Sequence, residues 1–421
     1  MMTTPVTIGI HTLGCKVNQY ESERLCRQLR ALGLDAAPGR RQAALHVINT
    51  CTVTAVADAK CRKLLSRLHR DNPTAALVVT GCMAELQQAR VAALPGVAAV
   101  LGNREKEALA ETVARLAGRS EPPLPYLPSR CRAFLKVQDG CDNFCAYCAV
   151  PYARPGMRSR PVTEIVRELQ TLVGEGIQEV VVCGIRLGAY ASDGCDLGGL
   201  LDALAATGVP RLRLSSLEPW DISPGLVTAL ARNPALCPHL HLPAQSGDDG
   251  VLQAMGRRNT ARDYRRLVAD LRAARPGLAL STDLLVGFPG ETDQAFHNTM
   301  DLAREVGFCR LHVFRYSPRP GTRAASMPGR VPEPVKAARS AALIALGQSL
   351  AADFAARRVG TLAEVLVESC HAGRCVGHAP DYLQVDFPGG PDLVGRIVSV
   401  EITAVTGQRA RGRRAKVRSN A

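Results

Sequence analysis

The sequence is poor in aromatic residues and has no long apolar run. Aromatics make up 4% of the 421 residues, with a single tryptophan, so extensive stacking of nucleic-acid bases on protein rings is not expected. No stretch approaches the roughly 18 consecutive apolar residues of a membrane-spanning helix. The opening MMTTPVTIGIHTLGC also lacks the basic and apolar parts of a secretory signal. We therefore expect a cytoplasmic protein with no membrane partner.

Internal repeats, low-complexity tracts and acidic residues are scarce as well. The absence of a repeat with a period of about 20–50 residues argues against a solenoid, and a hydrophobic content of 46% is ordinary for a folded protein. Lys and Arg number 52 against 38 Asp and Glu, which gives a formal net charge of +14. This excess favours a polyanionic partner, nucleic acid first. An Arg-rich proteome is the alternative explanation.

Cysteine, by contrast, is abundant: three of the 15 cysteines crowd into QDGCDNFCAYC as Cys141, Cys145 and Cys148. Disulfide frameworks are rare in the cytoplasm, where clustered thiols more often bind metal or take part in catalysis. A zinc site usually has four protein ligands, and no fourth cysteine or histidine completes this spacing. Three thiolates on a four-iron cluster leave one iron free, so we expect such a cluster. A structural zinc knuckle is the alternative.

Three further cysteines each follow a predicted strand. Cys15 follows IGIHTLG, Cys51 follows HVINT and Cys82 follows LVVTG. Because the carboxyl ends of parallel strands meet at one edge of a sheet, these thiols can converge on a second cluster, with chance placement as the alternative. Cys26 and Cys61 lie inside predicted helices, where a small buried thiol is the expected reading.

The chain divides into three predicted domains. Alternating strand and helix patterns predict a parallel α/β domain over 1–105, followed by a proline-rich linker over 106–128. Six strand-like segments, each followed by a helical stretch, predict a partial (β/α)6 barrel over 129–355, with an open doubly wound sheet as the alternative. The short alternating runs after Gly360 predict a small all-β barrel with a basic tail over 356–421.

The motifs, taken in order, resemble the radical S-adenosylmethionine (SAM) methylthiotransferase family. They are TLGCKVNQYESE, NTCTVT, TGCMAE, the three-cysteine segment, RLRLSSLEP, HLPAQSGDDGVLQAMGR, TDLLVGFPGE and FRYSPRPGT, which span nearly the whole chain. Lys16 and Val17, together with SPRPGT, are closest to the branch that acts on N6-threonylcarbamoyladenosine at position 37 of tRNA. The branches that act on isopentenyladenosine-37 tRNA or on a ribosomal protein are the alternatives.

The resemblance implies a fold and a reaction. The fold is an N-terminal parallel α/β domain, a central partial (β/α)6 radical SAM barrel and a C-terminal TRAM β-barrel. The reaction replaces the C2 hydrogen of adenine by a methylthio group, which no side-chain base could begin because this carbon acid is too weak. Two 4Fe–4S clusters on the two cysteine triads, SAM as methyl donor and radical source, and an external electron donor are implied. A non-catalytic metal protein that binds RNA is the rival from another class.

Residues at the ends of the barrel strands are predicted to hold SAM. The family usually has an aromatic residue between two of the cluster cysteines, and a glycine after the second strand would let the backbone approach the methionine moiety. Polar side chains after the third and fourth strands suit the ribose, and the glycines of VGFPGE suit packing against adenine. The predicted set is Tyr147, Gly184, Ser216, Glu218, Gln245, Ser246, Gly287 and Gly290.

The basic end of the chain, QRARGRRAKVR, is predicted to contact tRNA. A run of like charge often serves as a nucleic-acid arm, and its contact with phosphates would be electrostatic and salt-sensitive. Position 37 lies in the single-stranded anticodon loop, where proteins can reach base edges. We expect tRNA rather than DNA as partner and a monomeric protein; a solvated, disordered tail is the alternative. The predicted contacts are Arg409, Arg411, Arg413, Arg414 and Lys416.

Two positions depart from the family pattern. Pro155 stands between Arg154 and Gly156 and displaces the glycine of a turn, so no family contact is transferred to Arg154. Cys183 stands where the family commonly has threonine. As a single thiol beside the predicted site, it is predicted to be an inert core residue, with a reactive or ligating role as the alternative.

Two pairs of residues are predicted to be structural. His239 and His241 alternate on one strand and therefore face the same side. Satisfied structural histidines are the expected interpretation, and a place in the active site is the alternative. Cys370 and Cys375 bracket HAGR in a presumed hairpin. They are predicted to be free thiols that bind no metal.

Overall fold

The N-terminal part of the chain folds as a five-stranded parallel sheet. The computed structural model describes residues 6–118, 124 and 131–415. The strands of this sheet are β1 (Thr7–Thr12), β2 (Asp35–Pro38), β3 (Leu45–Thr50), β4 (Ala76–Gly81) and β5 (Val97–Leu101). Their order is β2-β1-β3-β4-β5, and all neighbours are parallel. The helices are α1 (Lys16–Ala31), α2 (Ala55–Asp71), α3 (Cys82–Leu86), α4 (Gln88–Ala92) and α5 (Leu109–Ala117).

The extent to which each strand is buried explains which of the five strands could be predicted from the sequence. Every residue of β3 is buried, as expected for a central strand covered on both faces, and the three predicted strands β1, β3 and β4 are present. The edge strands β2 and β5 are only partly buried, so their sequences lack a strong apolar run.

The predicted linker over 106–128 begins too early. Residues 106–108 form a 3-10 turn and α5 follows directly. Leu109 and Val113 of α5 are buried in the apolar core of the N-terminal sheet, so this helix belongs to the N-terminal unit.

The central part of the chain forms an open barrel. Its strands and short β-segments are β6 (Arg132–Lys136), β7 (Gln138–Asp139), β8 (Arg158–Ser159), β9 (Glu179–Cys183), β10 (Ala191–Ser192), β11 (Cys195–Asp196), β12 (Arg211–Leu214), β13 (His239–His241), β14 (Ala279–Val286) and β15 (Arg310–Arg315). Its helices are α6 (Val150–Ala153), α7 (Val162–Gly174), α8 (Leu197–Ala205), α9 (Pro224–Arg232), α10 (Asp249–Met255), α11 (Ala261–Ala274), α12 (Asp293–Val306) and α13 (Glu333–Ala356). No helix in the described ranges has both the length and the apolar character needed to cross a membrane.

Six parallel strands run around this barrel in chain order. Strands β6, β9 and β12 form one sheet, and β13, β14 and β15 form another. A parallel bridge between Ser216 and His241 joins the two sheets. The predicted six-stranded partial barrel is therefore confirmed. Its helices pack leucine and valine side chains against the strands in one continuous core.

The C-terminal part closes into a small all-β barrel, as predicted. The strands are β16 (Leu362–His371), β17 (Arg374–His378), β18 (Gln384–Pro388), β19 (Ile397–Thr406) and β20 (Arg409–Arg414). Their order is β16-β17-β18-β20-β19, and β19 pairs back to β16. The four predicted RNA-contacting arginines thus lie in a barrel strand, whereas Lys416 lies outside the described residues.

The prediction that Cys370 and Cys375 are free thiols is wrong. They form a disulfide, because they are direct partners in the antiparallel ladder of β16 and β17. The presumed hairpin around HAGR is present, but its two cysteines had been expected to stay reduced in a cytoplasmic protein. The remaining cysteines in the described chain are free.

An apolar contact joins the N-terminal unit to the barrel. Val17 and Tyr20 of α1 are buried against Val181 of β9 and Phe134 of β6. Cys183 completes this cluster with no exposed surface, which places it where a core thiol was predicted.

A buried charge network crosses the same contact. Arg154 donates hydrogen bonds to Glu21 Oε1 at 2.9 Å, to Asp139 Oδ1 at 2.8 Å and to Asn18 Oδ1 at 2.9 Å. Glu21 also forms ion pairs with Lys106 and with Lys136, the latter at 3.1 Å. Burial alone would raise the pKa of Glu21, but the surrounding cations hold it well below its ordinary value. The network thus ties α1 to the barrel through charges that have little access to water.

A second buried carboxylate anchors the C-terminal barrel. Glu179, with no exposed surface, pairs with Arg213 at 2.8 Å and with Arg132 at 3.0 Å. Arg213 in turn donates to the backbone oxygen of Ala379 at 2.7 Å and stacks 4.0 Å from the ring centroid of Tyr382. A loop of the C-terminal barrel is thereby held at the base of the open barrel.

We expect the Glu21→Gln variant to be destabilised by about 3–5 kcal/mol near neutral pH, because the buried Arg154 and the partly buried Lys106 and Lys136 lose their shared counter-charge. The pKa of Glu21 in the fold lies below the unfolded value of about 4.3. Its contribution is therefore complete above that value and disappears as the pH falls through the folded pKa. Urea unfolding of both proteins at pH 7 and at lower pH should show a difference that shrinks with acidity.

The matched control for this prediction is Glu305→Gln. Glu305 pairs with Arg265 at 2.6 Å on the surface, and an exposed pair of this kind contributes less than about 1 kcal/mol. Equal losses in the two variants would contradict the role given to Glu21.

Candidate functional site

A cavity of about 520 Å³ lies where the three parts of the chain meet. This volume is within the range of roughly 300–1,000 Å³ that is usual for small-molecule sites. Its wall is formed by the N-terminal cysteines, the inner faces of the barrel strands, α13 and the loop around Tyr382. The space is therefore the lumen of the open barrel, closed on one side by the N-terminal sheet and at the base by the C-terminal barrel.

Three cysteines of the N-terminal unit share one wall of this cavity. Cys15 is the N-cap of α1, Cys51 follows β3 directly, and Cys82 is the first residue of α3, immediately after β4. All three line the cavity. The parallel order of β1, β3 and β4 brings their carboxyl ends to one edge, which is why thiols far apart in the sequence meet there.

A glycine makes this close approach possible. Gly14 precedes Cys15 with φ of +102°, and a Cβ atom at this position would lie 2.7 Å from Cys51 Cβ. Both the backbone conformation and the contact exclude a larger residue. The turn that presents Cys15 to the cavity therefore depends on the glycine.

The second triad lies in the loop after β7. Cys141 Sγ accepts a hydrogen bond from the N–H of Asn143 at 3.5 Å, and Cys148 Sγ accepts one from the N–H of Val150 at 3.4 Å. Donors aimed at sulfur stabilise thiolates. None of Cys141, Cys145 and Cys148 lines the cavity itself, but Val150, just after the triad, does.

This loop also depends on a close glycine contact. Gly140 has φ of +82°, and a Cβ atom there would lie 1.8 Å from the backbone oxygen of Gly156. The glycine that Pro155 displaces in the sequence therefore still closes the turn, with Gly156 packed against Gly140.

The two triads are connected through Arg154. Its side chain bonds to Asn18, three residues after Cys15, and to Asp139, two residues before Cys141. The guanidinium is 3% exposed and lines the cavity. Arg154, to which the sequence assigned no contact, thus fixes the segments that carry the two sets of thiols.

The donor chemistry of both triads fits iron–sulfur clusters. Burial raises the pKa of Cys51 to about 12, of Cys141 to about 11 and of Cys148 to about 12, so the metal-free thiols hold their protons and release them when iron binds. No three His, Cys, Asp or Glu side chains in residues 6–118 and 131–415 surround a single-ion position. Cluster cysteines each bind a different iron and do not need to converge on one ion.

The residues predicted to hold SAM are divided between two places. Gly184 and Ser216 line the cavity. Glu218 lies beside the second triad, where it pairs with Arg257 at 2.8 Å. Tyr147 is half-buried next to the same arginine, and burial raises its pKa well above the ordinary value. These four residues border the route from the second triad to the lumen.

The other predicted SAM residues make structural contacts. Ser246 is buried and shares a hydrogen bond of 3.2 Å with Thr299. Gln245 has φ of +66° and is tied to β14 by backbone bonds. Gly287 and Gly290 have φ of +74° and +83° and, like Gln245 and Ser246, do not border the cavity.

A polar chain inside the lumen was missed by the sequence analysis. His239 Nε2 lies 3.0 Å from Ser281 Oγ, which lies 2.9 Å from His241 Nδ1, and His241 Nε2 lies 3.2 Å from Asp283 Oδ1. All four residues line the cavity. The available signal was the period-two spacing of Ser281 and Asp283, which puts both on one face of β14. The two histidines are bonded within the fold and also exposed to the site.

The basic strand β20 is open to solvent. Its four predicted RNA contacts are exposed, and Arg413 forms an ion pair with Glu401 at 3.0 Å. They are Arg409, Arg411, Arg413 and Arg414.

Three family models match consecutive segments of the chain. The uncharacterized protein family UPF0004 matches residues 7–102, the radical SAM superfamily matches 135–303 and the TRAM domain matches 356–414. A solved radical SAM methyltransferase, TsrM from Kitasatospora setae, has a similar fold with a TM-score of 0.57 at 17% identity, covering 76% of this chain and 75% of that chain. This likeness supports the barrel architecture alone.

Relatives that align over almost the full chain identify the family more specifically. The chain is 37% identical to the threonylcarbamoyladenosine tRNA methylthiotransferase MtaB of Bacillus subtilis, over 94% of this chain and 93% of the relative. It is 38% identical to the protein of the same name from Thermotoga maritima, over 95% of each chain. Because the identity extends through all three matched segments, the chain belongs to the MtaB family of radical SAM tRNA methylthiotransferases.

Proposed function

We propose that the protein converts N6-threonylcarbamoyladenosine at position 37 of tRNA into its 2-methylthio derivative. The names of the relatives supply this substrate. The observation that carries the proposal is that Cys15, Cys51 and Cys82 open onto the lumen of the barrel whose first loop carries the second triad. A base in this lumen would face the first triad directly, with the second triad in the loop that leads to Val150 of the same wall.

The cofactors of the family are SAM and 4Fe–4S clusters. When bound, they supply the radical that removes the C2 hydrogen of adenine and the sulfur and methyl group that replace it. We propose Cys141, Cys145 and Cys148 as ligands of the SAM-binding cluster. The raised pKa values of the Cys141 and Cys148 thiols, and the backbone N–H groups that donate to these two sulfurs, support this assignment. The position of Cys15, Cys51 and Cys82 supports them as ligands of the auxiliary cluster.

The side chains of the protein position the reactants. Arg154 holds the segments of the two triads at a fixed separation. Gly184 leaves room at the cavity wall, since a Cβ atom there would lie 3.0 Å from Gln138. Glu218, kept beside the second triad by Arg257, is placed to bind a polar group of SAM. Val150 and Phe354 contribute apolar wall that limits water around the reacting carbon.

Isopentenyladenosine-37 tRNA and a ribosomal protein are the alternative substrates for the same chemistry. The lumen carries His241, Asp283 and His312, and an apolar isopentenyl group would remove water from these polar groups without replacing its hydrogen bonds. The polar wall therefore favours the threonylcarbamoyl substrate.

The family assignment makes tRNA the substrate class, and the exposed arginines of β20 support a contact between the C-terminal barrel and the tRNA backbone. We further propose that the enzyme works in the cytoplasm as a monomer and takes electrons from an external donor. The anticodon loop would enter the lumen at position 37.

The first prediction from the proposed function concerns the tRNA nucleosides of a strain from which the gene has been deleted. Its tRNA should lack 2-methylthio-N6-threonylcarbamoyladenosine and retain the unmethylthiolated nucleoside, as measured by mass spectrometry of digested tRNA. The wild-type gene should restore the product, whereas Cys15→Ala and Cys141→Ala should not. Cys195→Ser, whose residue lies outside the cavity, is the control and should restore it. An unchanged nucleoside in the deleted strain would contradict the substrate assignment.

The second prediction concerns iron. Anaerobically reconstituted protein should contain about eight irons, four per cluster, and the triple Cys15/Cys51/Cys82→Ala variant should retain about four. Iron analysis and electron paramagnetic resonance measure this directly. Cys26→Ala provides a matched control because Cys26 is buried against the Ala36 backbone oxygen, away from the cavity. A triple variant with unchanged iron would rule out the auxiliary ligands.

The third prediction concerns salt. Arg411→Ala should weaken tRNA binding and reduce the slope of log affinity against log salt concentration by about 1, as expected for one lost phosphate contact. Arg304→Ala, on the outer helix α12 and paired with Asp301 at 2.8 Å, should leave the slope unchanged. Fluorescence anisotropy over a salt series distinguishes the two, and equal slopes would argue against contact through β20.

A further inference from the structure

The wall of the lumen carries two cations that have no partner. Lys16 and Arg310 line the cavity, and neither side chain has an ion pair or hydrogen bond within the described ranges of the chain. The third cation on the wall, Arg154, already pairs with Glu21 and Asp139.

The acidic groups of the same wall are already paired. Asp283 binds His241 at 3.2 Å, and Asp381 binds Arg358 at 2.5 Å. Among the described residues of this wall, Asp283 has a histidine and no lysine or arginine as its partner, so one carboxylate faces the two cations Lys16 and Arg310. Their positive charge is only partly balanced by the protein, and a ligand that carries negative charge would complete it.

The local structure directs both cations to the lumen. Lys16 is the first residue of α1, beside the cavity cysteine at the N-cap. Arg310 begins β15, where Arg310 and His312 are exposed while Leu311 and Val313 pack against the barrel core, as the period of a strand requires. The pKa of His312 is lowered first by the desolvation of its ring on the cavity wall, and Lys16 and Arg310 lower it further, so both charges act on the same ring.

The proposed substrate provides a matching anion. The threonylcarbamoyl group on N6 ends in a carboxylate, and the two ring carbons C2 and C6 both flank N1 of the purine. A base whose C2 faces the cysteine wall thus directs its N6 group along the same side of the lumen. An isopentenyl group is uncharged and could not pair with Lys16 or Arg310.

We propose that Lys16 and Arg310 form the subsite that binds the carboxylate of the N6 substituent and so select the threonylcarbamoyl substrate. This assignment rests on the proposed function. The neighbouring chain of His239, Ser281 and His241 orients the remaining polar atoms of the substituent: with His241 Nε2–H donating to Asp283, its Nδ1 accepts from the serine hydroxyl.

The test compares three anticodon stem-loops that differ only at N6 of adenosine 37: threonylcarbamoyl, its methyl ester, and the unmodified amine. Binding to the full-length, cluster-loaded enzyme is measured by fluorescence anisotropy. We expect the wild type to bind the acid about 10-fold or more tightly than the ester, the size of a charge-assisted hydrogen bond. In Arg310→Met and Lys16→Met this ratio should fall to about 1–3, with the affinity for the ester unchanged.

Two further variants test whether a loss of discrimination between acid and ester comes from a change in the fold and not from the lost charge. Arg310→Lys keeps the charge and should retain part of the ratio, while Arg304→Met removes an exposed arginine far from the lumen and should retain all of it. Iron content is measured for each protein, so that loss of a cluster next to Lys16 is recognised.

The outcomes separate the possible sources of the anion. If Arg310→Met weakens all three stem-loops equally, the cation contacts an RNA phosphate and the proposal is wrong. If it weakens SAM in equilibrium dialysis, the carboxylate of SAM is the ligand and the proposal is again wrong. If the enzyme discriminates acid from ester but forms no 2-methylthio product on the acid, the subsite stands and the proposed reaction fails.

Discussion

One buried guanidinium sets the geometry on which the site depends. Arg154 holds Asn18 and Asp139 at 2.9 and 2.8 Å, and these residues flank the two sets of cysteines. A charge in this position is costly to bury unless it is paired, so Glu21 and Asp139 are as necessary as the arginine. The separation of the two triads is thus fixed by electrostatics within the interface, and the apolar contact of α1 with the barrel sets only its orientation.

The lumen combines two kinds of wall. Beside α13 it is apolar, with Ala351 and Phe354 on the wall, which limits water there. Across the strands it is polar. Burial lowers the pKa of His239 well below its ordinary value, and Arg213 lowers it further. The hydrogen-bonded chain of His239, Ser281 and His241 presents polar atoms to the lumen, and Lys16 and Arg310 add positive charge to it.

The sequence predicted what periodicity and local spacing can carry. The six barrel strands, the three central strands of the N-terminal sheet and the positions of both cysteine triads followed from alternation and from the ends of strands. Arg154 could not be found this way, since its partner Glu21 is 133 residues away in the chain and the displaced glycine suggested a lost contact. The disulfide between Cys370 and Cys375 was missed for another reason: the presumed hairpin set the two residues opposite each other, but cytoplasmic thiols were expected to stay reduced.

The anchoring of the C-terminal barrel through Glu179 has a consequence for the evolution of this architecture. A C-terminal domain that made no contact with the rest of the protein could be exchanged for another without affecting the site. Here Arg213 needs the Ala379 backbone oxygen and the Tyr382 ring, while Tyr382 itself lines the reaction cavity. Replacing the C-terminal barrel by an unrelated module would remove the backbone acceptors of the buried Arg213 and open the floor of the lumen. Changes in the C-terminal barrel and in the open barrel must therefore remain compatible with each other.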